Sequence, residues 1–284
     1  MPSSKVITRL AQLLLTLQAL LVLTGGAVRL TGSGLGCPTW PQCTTDSYTP
    51  VKGQAEGALH AWIEFGNRLL TFALFFAALA TLIIVIRAKR RDLRLLALSQ
   101  IAGIFGQAIL GGITVLTNLN PLAVASHFIL SVILIAAAHS LVVRSYATRK
   151  SEPVRSQYLA AHTALTFLVI VAGTLVTGAG PHAGDSETPR LDIAVSLVAA
   201  IHGYLVVALI LLTIFGIYKK MKNFASDTQR YLSIFLAITL IQGVIGYAQY
   251  LLGVPEVLVI LHLLGSALLW IAAWRVRLTQ FYTV

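Results

Sequence analysis

Charged side chains are scarce in this chain, and their scarcity excludes a water-soluble globule. Only 11% of the 284 residues are charged, 57% are hydrophobic, and the mean hydropathy is +0.82. A soluble domain of this length needs a far more polar surface, so the composition predicts a protein whose solvent is lipid. The net charge of +11 does not indicate nucleic-acid binding, because the basic residues are distributed as membrane-orientation signals.

Acidic residues are the rarer charges, with ten Asp and Glu in the whole sequence. The aspartates fall in predicted loops and form no cluster. An enzyme that binds a diphosphate through Mg²⁺ needs clustered carboxylates, so a prenyltransferase is disfavoured.

Long apolar runs dominate what remains. Eight runs of about 20 residues are each long enough for a transmembrane helix, which predicts an all-α polytopic membrane protein with eight transmembrane helices. We interpret the first run as a helix and not as a cleaved signal peptide, because it continues to Arg29 and lacks a clear small-residue cleavage site. The runs lie at about 8–28, 60–86, 95–116, 122–143, 157–178, 193–217, 229–252 and 255–277.

The basic residues assign the orientation. Of the 21 Lys and Arg residues, 17 lie near the termini or after helices two, four and six, three lie in the opposite loops, and Arg68 lies within a helix. Cytoplasmic loops are enriched in Lys and Arg, so we predict cytoplasmic N- and C-termini. The 17 residues are Lys5, Arg9, Arg87, Lys89, Arg90, Arg91, Arg94, Arg144, Arg149, Lys150, Arg155, Lys219, Lys220, Lys222, Arg230, Arg275 and Arg277. Four tryptophans near span ends are expected to form an interfacial belt: Trp40, Trp62, Trp270 and Trp274.

Cysteine is almost absent. Cys37 and Cys43 both fall in the first outer loop, where an oxidising compartment lets a disulfide persist. The alternative is two free thiols, whereas a zinc site is disfavoured because no histidine lies close to the pair in sequence. We predict a disulfide.

An internal repeat relates the two halves of the chain. The order Gln, Gly, Pro, His recurs in helices three to four and seven to eight, and GGAVRLTGSG at 25–34 resembles AGTLVTGAG at 172–180. We therefore predict two pseudo-symmetric four-helix bundles, 1–150 and 151–284, related by an axis along the membrane normal. The recurring residues are Gln107, Gly111, Pro121 and His127, then Gln242, Gly246, Pro255 and His262.

Histidines inside the spans are candidate ligands, because polar groups are expensive in lipid. His202 and His262 lie on different helices of the C-terminal half, and His127 matches His262 in the repeat. Two neutral nitrogen donors on rigid helices suit a six-coordinate haem iron. Zinc or copper would need a third ligand, and none lies beside them in sequence. The alternative is a set of hydrogen-bonded structural histidines.

The N-terminal half differs at one position. Alignment of the halves places Asn67 where the C-terminal half has His202. Glu64, a carboxylate inside the predicted span 60–86, lies one turn earlier, and we expect it to take part in chemistry unless it forms a salt bridge with Arg68. His60, two turns from Asn67, is a candidate ligand for the same pocket; otherwise it is an interfacial histidine.

Together these segments resemble the haem A synthase family over essentially the whole chain. The resemblance lies in TGSGLGCPTWPQC, IEFGNR, ASHF, AAIHGY and LVILHLLGS. It implies a bacterial inner-membrane enzyme that oxidises a methyl group of haem O to a formyl group, giving haem A for cytochrome oxidase biogenesis. It also implies that His202 and His262 are axial ligands of haem b, that His127 binds the substrate haem, and that Glu64 is required for turnover.

The departure from that family is Asn67, where its commoner pattern has a histidine. Three arrangements follow: His60 compensates, the N-terminal iron is five-coordinate on His127, or water occupies the open side. The resemblance further implies haem O synthase, oxidase assembly factors and a quinol or other electron donor as partners.

Two other classes are alternatives. A membrane cytochrome b that only carries electrons is expected to keep matched histidines in both halves, so Asn67 with Glu64 counts against it. A transporter with repeated halves is expected to have helices broken near the midplane, yet the prolines here lie in loops and at helix starts.

Overall fold

The computed structural model describes residues 4–153, 155–185, 188–219 and 226–283, and eight long helices account for most of them. All eight are long and apolar enough to cross a membrane, and each overlaps one predicted run, which confirms the fold class. Lys220 and Lys222, used in the orientation argument, lie outside the described residues. The helices are α1 Ser4–Leu30, α2 Ala58–Arg87, α3 Arg91–Leu116, α4 Pro121–Tyr146, α5 Gln157–Ala179, α6 Val195–Tyr218, α7 Ser226–Leu251 and α8 Glu256–Leu278.

Local signals account for several helix ends. Asn120 accepts the N–H of Leu122 at 3.0 Å and Pro121 occupies the first turn of α4, where a missing N–H costs nothing. The prediction that every aspartate lies in a loop is wrong for Asp92 and Asp227, which lie in the first turns of α3 and α7. A carboxylate in the first turn of a helix is stabilised by the positive end of the helix dipole.

The helix neighbours are the same in both parts of the chain. In α1–α4 each helix packs on the next and α1 packs on α4, and α5–α8 repeat this arrangement. The two sets meet through α4 with α8, flanked by α1 with α8 and α4 with α5. If each helix of α1–α4 is exchanged with the corresponding helix of α5–α8, the same helix pairs remain in contact.

The turns before α4 and α8 share an unusual backbone. Asn118 and Leu119 have φ of 52° and 57°, and Gly253 and Val254 have φ of 72° and 61°. A positive φ is uncommon for leucine and rarer for a β-branched residue such as valine. The repeat therefore extends to a backbone conformation that the side chains disfavour.

Two of the four tryptophans join the halves. Trp270 is 4% exposed and donates its indole N–H to the Val132 carbonyl at 2.7 Å, and Trp274 donates to Ser140 Oγ at 2.7 Å. The expectation of an interfacial belt is wrong for these two, because they pack between α8 and α4. Trp62 is 56% exposed, which agrees with the interfacial position expected for it.

A short β pairing lies at the end of the bundle that carries the termini. Thr148–Arg149 (β1) pairs antiparallel with Tyr282–Thr283 (β2), and the Lys150 N–H donates to the Phe281 carbonyl at 2.9 Å. The link between α4 and α5 is thus held against the segment that follows α8.

Candidate functional site

Three of the predicted ligands share one local environment. In each case the imidazole lies against a glycine of the preceding helix, and a Cβ added to that glycine would lie 3.3 Å from the ring carbon Cε1. Such a contact is tighter than ordinary packing, so the absence of a side chain lets the ring fit against the neighbouring helix. The pairs are Gly111 with His127, Gly173 with His202, and Gly246 with His262.

The ring nitrogens of the three histidines differ in their partners. His202 Nδ1 lies 3.1 Å from the Val169 carbonyl, so its N–H can donate there and leave Nε2 as the free donor atom. The Nδ1 atoms of His127 and His262 are buried and have no hydrogen-bond partner among the described residues. Buried polar atoms without partners are uncommon and call for an explanation.

His202 and His262 form a pair within the C-terminal half. They lie on α6 and α8, which both pack on α5 and α7 and so stand at opposite corners of their four-helix set. Within the described ranges no group of three or more His, Cys, Asp or Glu is placed to hold a metal ion. Two imidazoles are a donor set that suits a haem iron better than a zinc or copper ion.

Asn67 lies in a different environment from the three histidines. Its Oδ1 accepts a hydrogen bond from Thr24 Oγ1 of α1 at 2.7 Å. A Cβ added at Gly25, next to Thr24, would meet no atom within 4 Å. The preceding helix therefore supplies a hydroxyl here and no close glycine packing.

Glu64 forms the salt bridge that was the structural alternative for it. Its carboxylate is buried, with Oε1 2.6 Å from Arg68 Nη2 and 3.1 Å from Arg68 Nε. The other oxygen, Oε2, accepts the backbone N–H of Cys37 at 2.7 Å. Both oxygens of the carboxylate are thus engaged, by a charge and by the outer loop.

The outer loop is closed by the predicted disulfide, Cys37–Cys43, which is confirmed. Arg68 donates to the carbonyls of Cys37 at 2.9 Å and of Thr39 and Gln42 at 3.1 Å. Sequence reasoning missed this second role of Arg68. The available signal was its position one turn after Glu64 on a helix that begins directly after the loop.

The same loop reaches the surroundings of His127. A Cβ added at Gly112 would lie 2.7 Å from the ring of Trp40, and the adjacent Gly111 packs against His127. One turn before Gly111 on α3, Gln107 Nε2 donates to the His127 carbonyl at 3.2 Å and to Ser131 Oγ at 2.7 Å. Glu64, the disulfide loop and His127 are therefore joined through direct contacts.

His60 belongs to the outer surface. Its Nδ1 lies 3.0 Å from Ser33 Oγ, and it lines a cavity of about 330 Å³. The other lining residues are Gly32, Leu35, Gly36, Glu56 and Asp185. The structure therefore pairs His60 with the outer loop and Asn67 with Thr24.

These features define a helical membrane protein that places imidazole donors inside its bundle. The sequence pattern of the cytochrome oxidase assembly protein family (COX15-CtaA) matches residues 8–184, and the chain belongs to this family, which includes the haem A synthases. The resemblance inferred from the sequence is thereby confirmed.

Curated relatives agree with this placement. The chain is 28% identical to a heme A synthase of Geobacillus kaustophilus over 139 residues, 48% of this chain and 42% of that protein. It is 32% identical to one of Bacillus pumilus over 149 residues, 51% and 47% respectively. For one of Shewanella oneidensis the identity is 27% over 184 residues, 61% and 56%. The chain spans about half the length of the curated relatives it matches.

Proposed function

We propose that this protein is a haem A synthase, which oxidises a methyl group of haem O to the formyl group of haem A. The observation that carries the proposal is the set of three half-buried imidazoles, each packed against a glycine, in a chain of this family. The curated relatives named heme A synthase support the same reaction.

The C-terminal half, 151–284, is the proposed haem b half. His202 and His262 would be the two axial ligands, with the Val169 carbonyl orienting the His202 ring. The observation that favours this assignment is a pair of half-buried imidazoles, each packed against a glycine of the preceding helix. When bound, haem iron supplies one-electron transfer, which no side chain here can provide.

The N-terminal half, 1–150, is the proposed substrate half. His127 would bind the iron of haem O, and the disulfide loop, which reaches Gly112 through Trp40, would cover that pocket. Glu64 is the proposed acid for turnover. Its hydrogen bonds to Arg68 and to the Cys37 N–H would hold the loop in place over the substrate pocket.

The proposed setting is a bacterial plasma membrane with both termini cytoplasmic. This orientation puts the disulfide on the oxidising side, where such bonds persist. A haem O synthase, oxidase assembly factors and a quinol or another electron donor are the proposed partners, since the substrate and the electrons come from elsewhere.

The test is expression with a haem O synthase in a bacterium that lacks its own haem A synthase. Extracted haems are separated chromatographically, and the purified protein is examined by reduced-minus-oxidised and pyridine haemochrome spectra. We expect haem A in the extract and haem b on the protein, with haem b lost in His202→Ala and kept in the control His182→Ala, which changes an outer-loop histidine.

The outcomes separate the alternatives. Haem b without haem A would indicate a cytochrome b electron carrier. No bound haem under any condition would contradict both haem functions and favour the transporter.

A further inference from the structure

The four equivalent positions in the repeat are not equivalent in structure. His127 and His262 occupy matching places in α4 and α8, and His202 and Asn67 occupy matching places in α6 and α2. At three of them an imidazole packs against a glycine, and at the fourth an amide is hydrogen-bonded to a hydroxyl. Asn67 thus differs from the three histidines both in its side chain and in the group of the neighbouring helix that it meets.

Asn67 is a poor substitute for an imidazole ligand. An amide nitrogen has no available lone pair, and the amide oxygen is already the acceptor for Thr24 Oγ1 at 2.7 Å. Amide oxygens also suit hard cations such as Ca²⁺, whereas imidazole suits iron. The NH₂ of Asn67, a hydrogen-bond donor, has no partner among the residues that the structure describes.

His60 is not positioned as a replacement. Its ring is paired with Ser33 Oγ at 3.0 Å and lines the outer cavity with Glu56 and Asp185. A move to the Asn67 position would break that contact.

The side chain of Asn67 is also shorter than the histidine at the matching position of the other half, His202. It therefore reaches less far from α2 than an imidazole at the same position would.

We propose that the iron bound in the N-terminal half is held by His127 alone, and that the position on the Asn67 side is open to a small diatomic ligand. The NH₂ of Asn67, oriented by Thr24, donates a hydrogen bond to that ligand. This inference rests on the proposed function, because it assumes that His127 binds a haem iron.

Carbon monoxide is the probe, since it binds ferrous haem with an open position and is excluded by two histidine ligands. The full chain is purified in detergent, supplemented with protohaem until both halves are filled, reduced with dithionite and titrated with carbon monoxide. We expect about one carbon monoxide for every two haems in the wild type, because only the N-terminal iron is open. Asn67→His should weaken binding about tenfold or more, since the imidazole competes for the same position.

Two further variants separate coordination from folding. Asn67→Leu, of similar size, should still bind carbon monoxide but raise its stretching frequency in the infrared spectrum, because the donated hydrogen bond is lost. His262→Ala should add a second carbon monoxide site, because it opens the C-terminal iron, and so serves as the positive control.

A wild type that carries two haems but binds no carbon monoxide would overturn the inference, and so would an unchanged stretching frequency in Asn67→Leu. Either result leaves the proposed function intact if haem A is still produced. A protein that binds no haem even after protohaem addition would overturn both.

Discussion

The carboxylate of Glu64 accepts the backbone N–H of Cys37 at 2.7 Å, and this bond joins a buried acid of α2 to the outer disulfide. Arg68, one turn further along α2, completes the connection by donating to Glu64 and to three loop carbonyls. The acid required by the proposed reaction is therefore also part of the support of the loop above it. Substitutions at this place should affect activity and stability together.

The two members of the Glu64–Arg68 ion pair should contribute to stability non-additively. Glu64→Gln leaves the Arg68 guanidinium without its carboxylate but with three loop carbonyls, which is expected to cost about 1–3 kcal/mol. The double variant Glu64→Gln with Arg68→Met should be less destabilised than the sum of the two single variants. Unfolding of the detergent-purified proteins measures all three. Strict additivity would show that the two side chains do not interact.

Opening of the disulfide should loosen the loop and lower haem A formation. Cys37 and Cys43 close a ring of few residues, so their cross-link contributes about 2 kcal/mol to loop order. Cys43→Ser is expected to reduce haem A in extracts while haem b remains on the C-terminal half. Unchanged haem A formation with increased protease cleavage between residues 37 and 43 would show that loop order is not needed for turnover.

Substitution of Gly173, which packs on the His202 ring, should affect haem binding more than substitution of Gly203, which only follows His202 in the sequence. Gly173→Ala places a Cβ 3.3 Å from His202 Cε1, whereas Gly203→Ala introduces a Cβ with no neighbour within 4 Å. The first is expected to weaken haem b binding about tenfold, and the second to leave it unchanged. Haem content after purification and the position of the reduced absorption band report the difference. Equal haem loss in the two variants would contradict the proposed ligand.

The tryptophans between the halves should contribute to stability through their indole N–H groups. Trp270→Phe removes the bond to the Val132 carbonyl and Trp274→Phe removes the bond to Ser140 Oγ, each at a cost of about 1 kcal/mol. Trp62→Phe, on an exposed side chain, is the matched control. Thermal unfolding should rank the Trp270 and Trp274 variants below the control, and a control equally destabilised would contradict the assignment.

The membrane orientation is open to a direct test. Reporter fusions after Arg90, Arg149 and Tyr282 should be active only as cytoplasmic reporters, and a fusion within residues 44–56 only as an outer-side reporter. The reason is the enrichment of basic residues at the end of the bundle that holds the termini. The reverse pattern of reporter activity would show the opposite orientation, in which the disulfide lies in a reducing compartment.

Much of the fold could be predicted because a segment that crosses the bilayer must be long and apolar, and both properties are visible in the sequence. Spans of sufficient length, a pair of cysteines in one loop and histidines at repeated positions are local or periodic features, and the first two are confirmed. Trp270 and Trp274 were misplaced because an apolar ring is equally compatible with lipid and with a neighbouring helix. Only the packing of α8 on α4 distinguishes the two.

The environments of the candidate site depended on contacts distant in sequence. The hydrogen bond from Thr24 to Asn67 joins α1 to α2, and the contact of Gly173 with His202 joins α5 to α6. The repeat predicts that these positions correspond, but not which neighbour each side chain meets. Arg68 was considered only as a partner for Glu64, because backbone carbonyls of a loop leave no pattern in the sequence.

The central contact between α4 and α8 places two corresponding helices against each other. These helices occupy matching places in the two sets, so each meets its own counterpart, as in the isologous interface of a two-fold homodimer. In a homodimer both sides of such an interface must carry the same side chains. Within one chain they are free to differ, as Trp270 and Trp274 of α8 do from the residues of α4 that accept their hydrogen bonds.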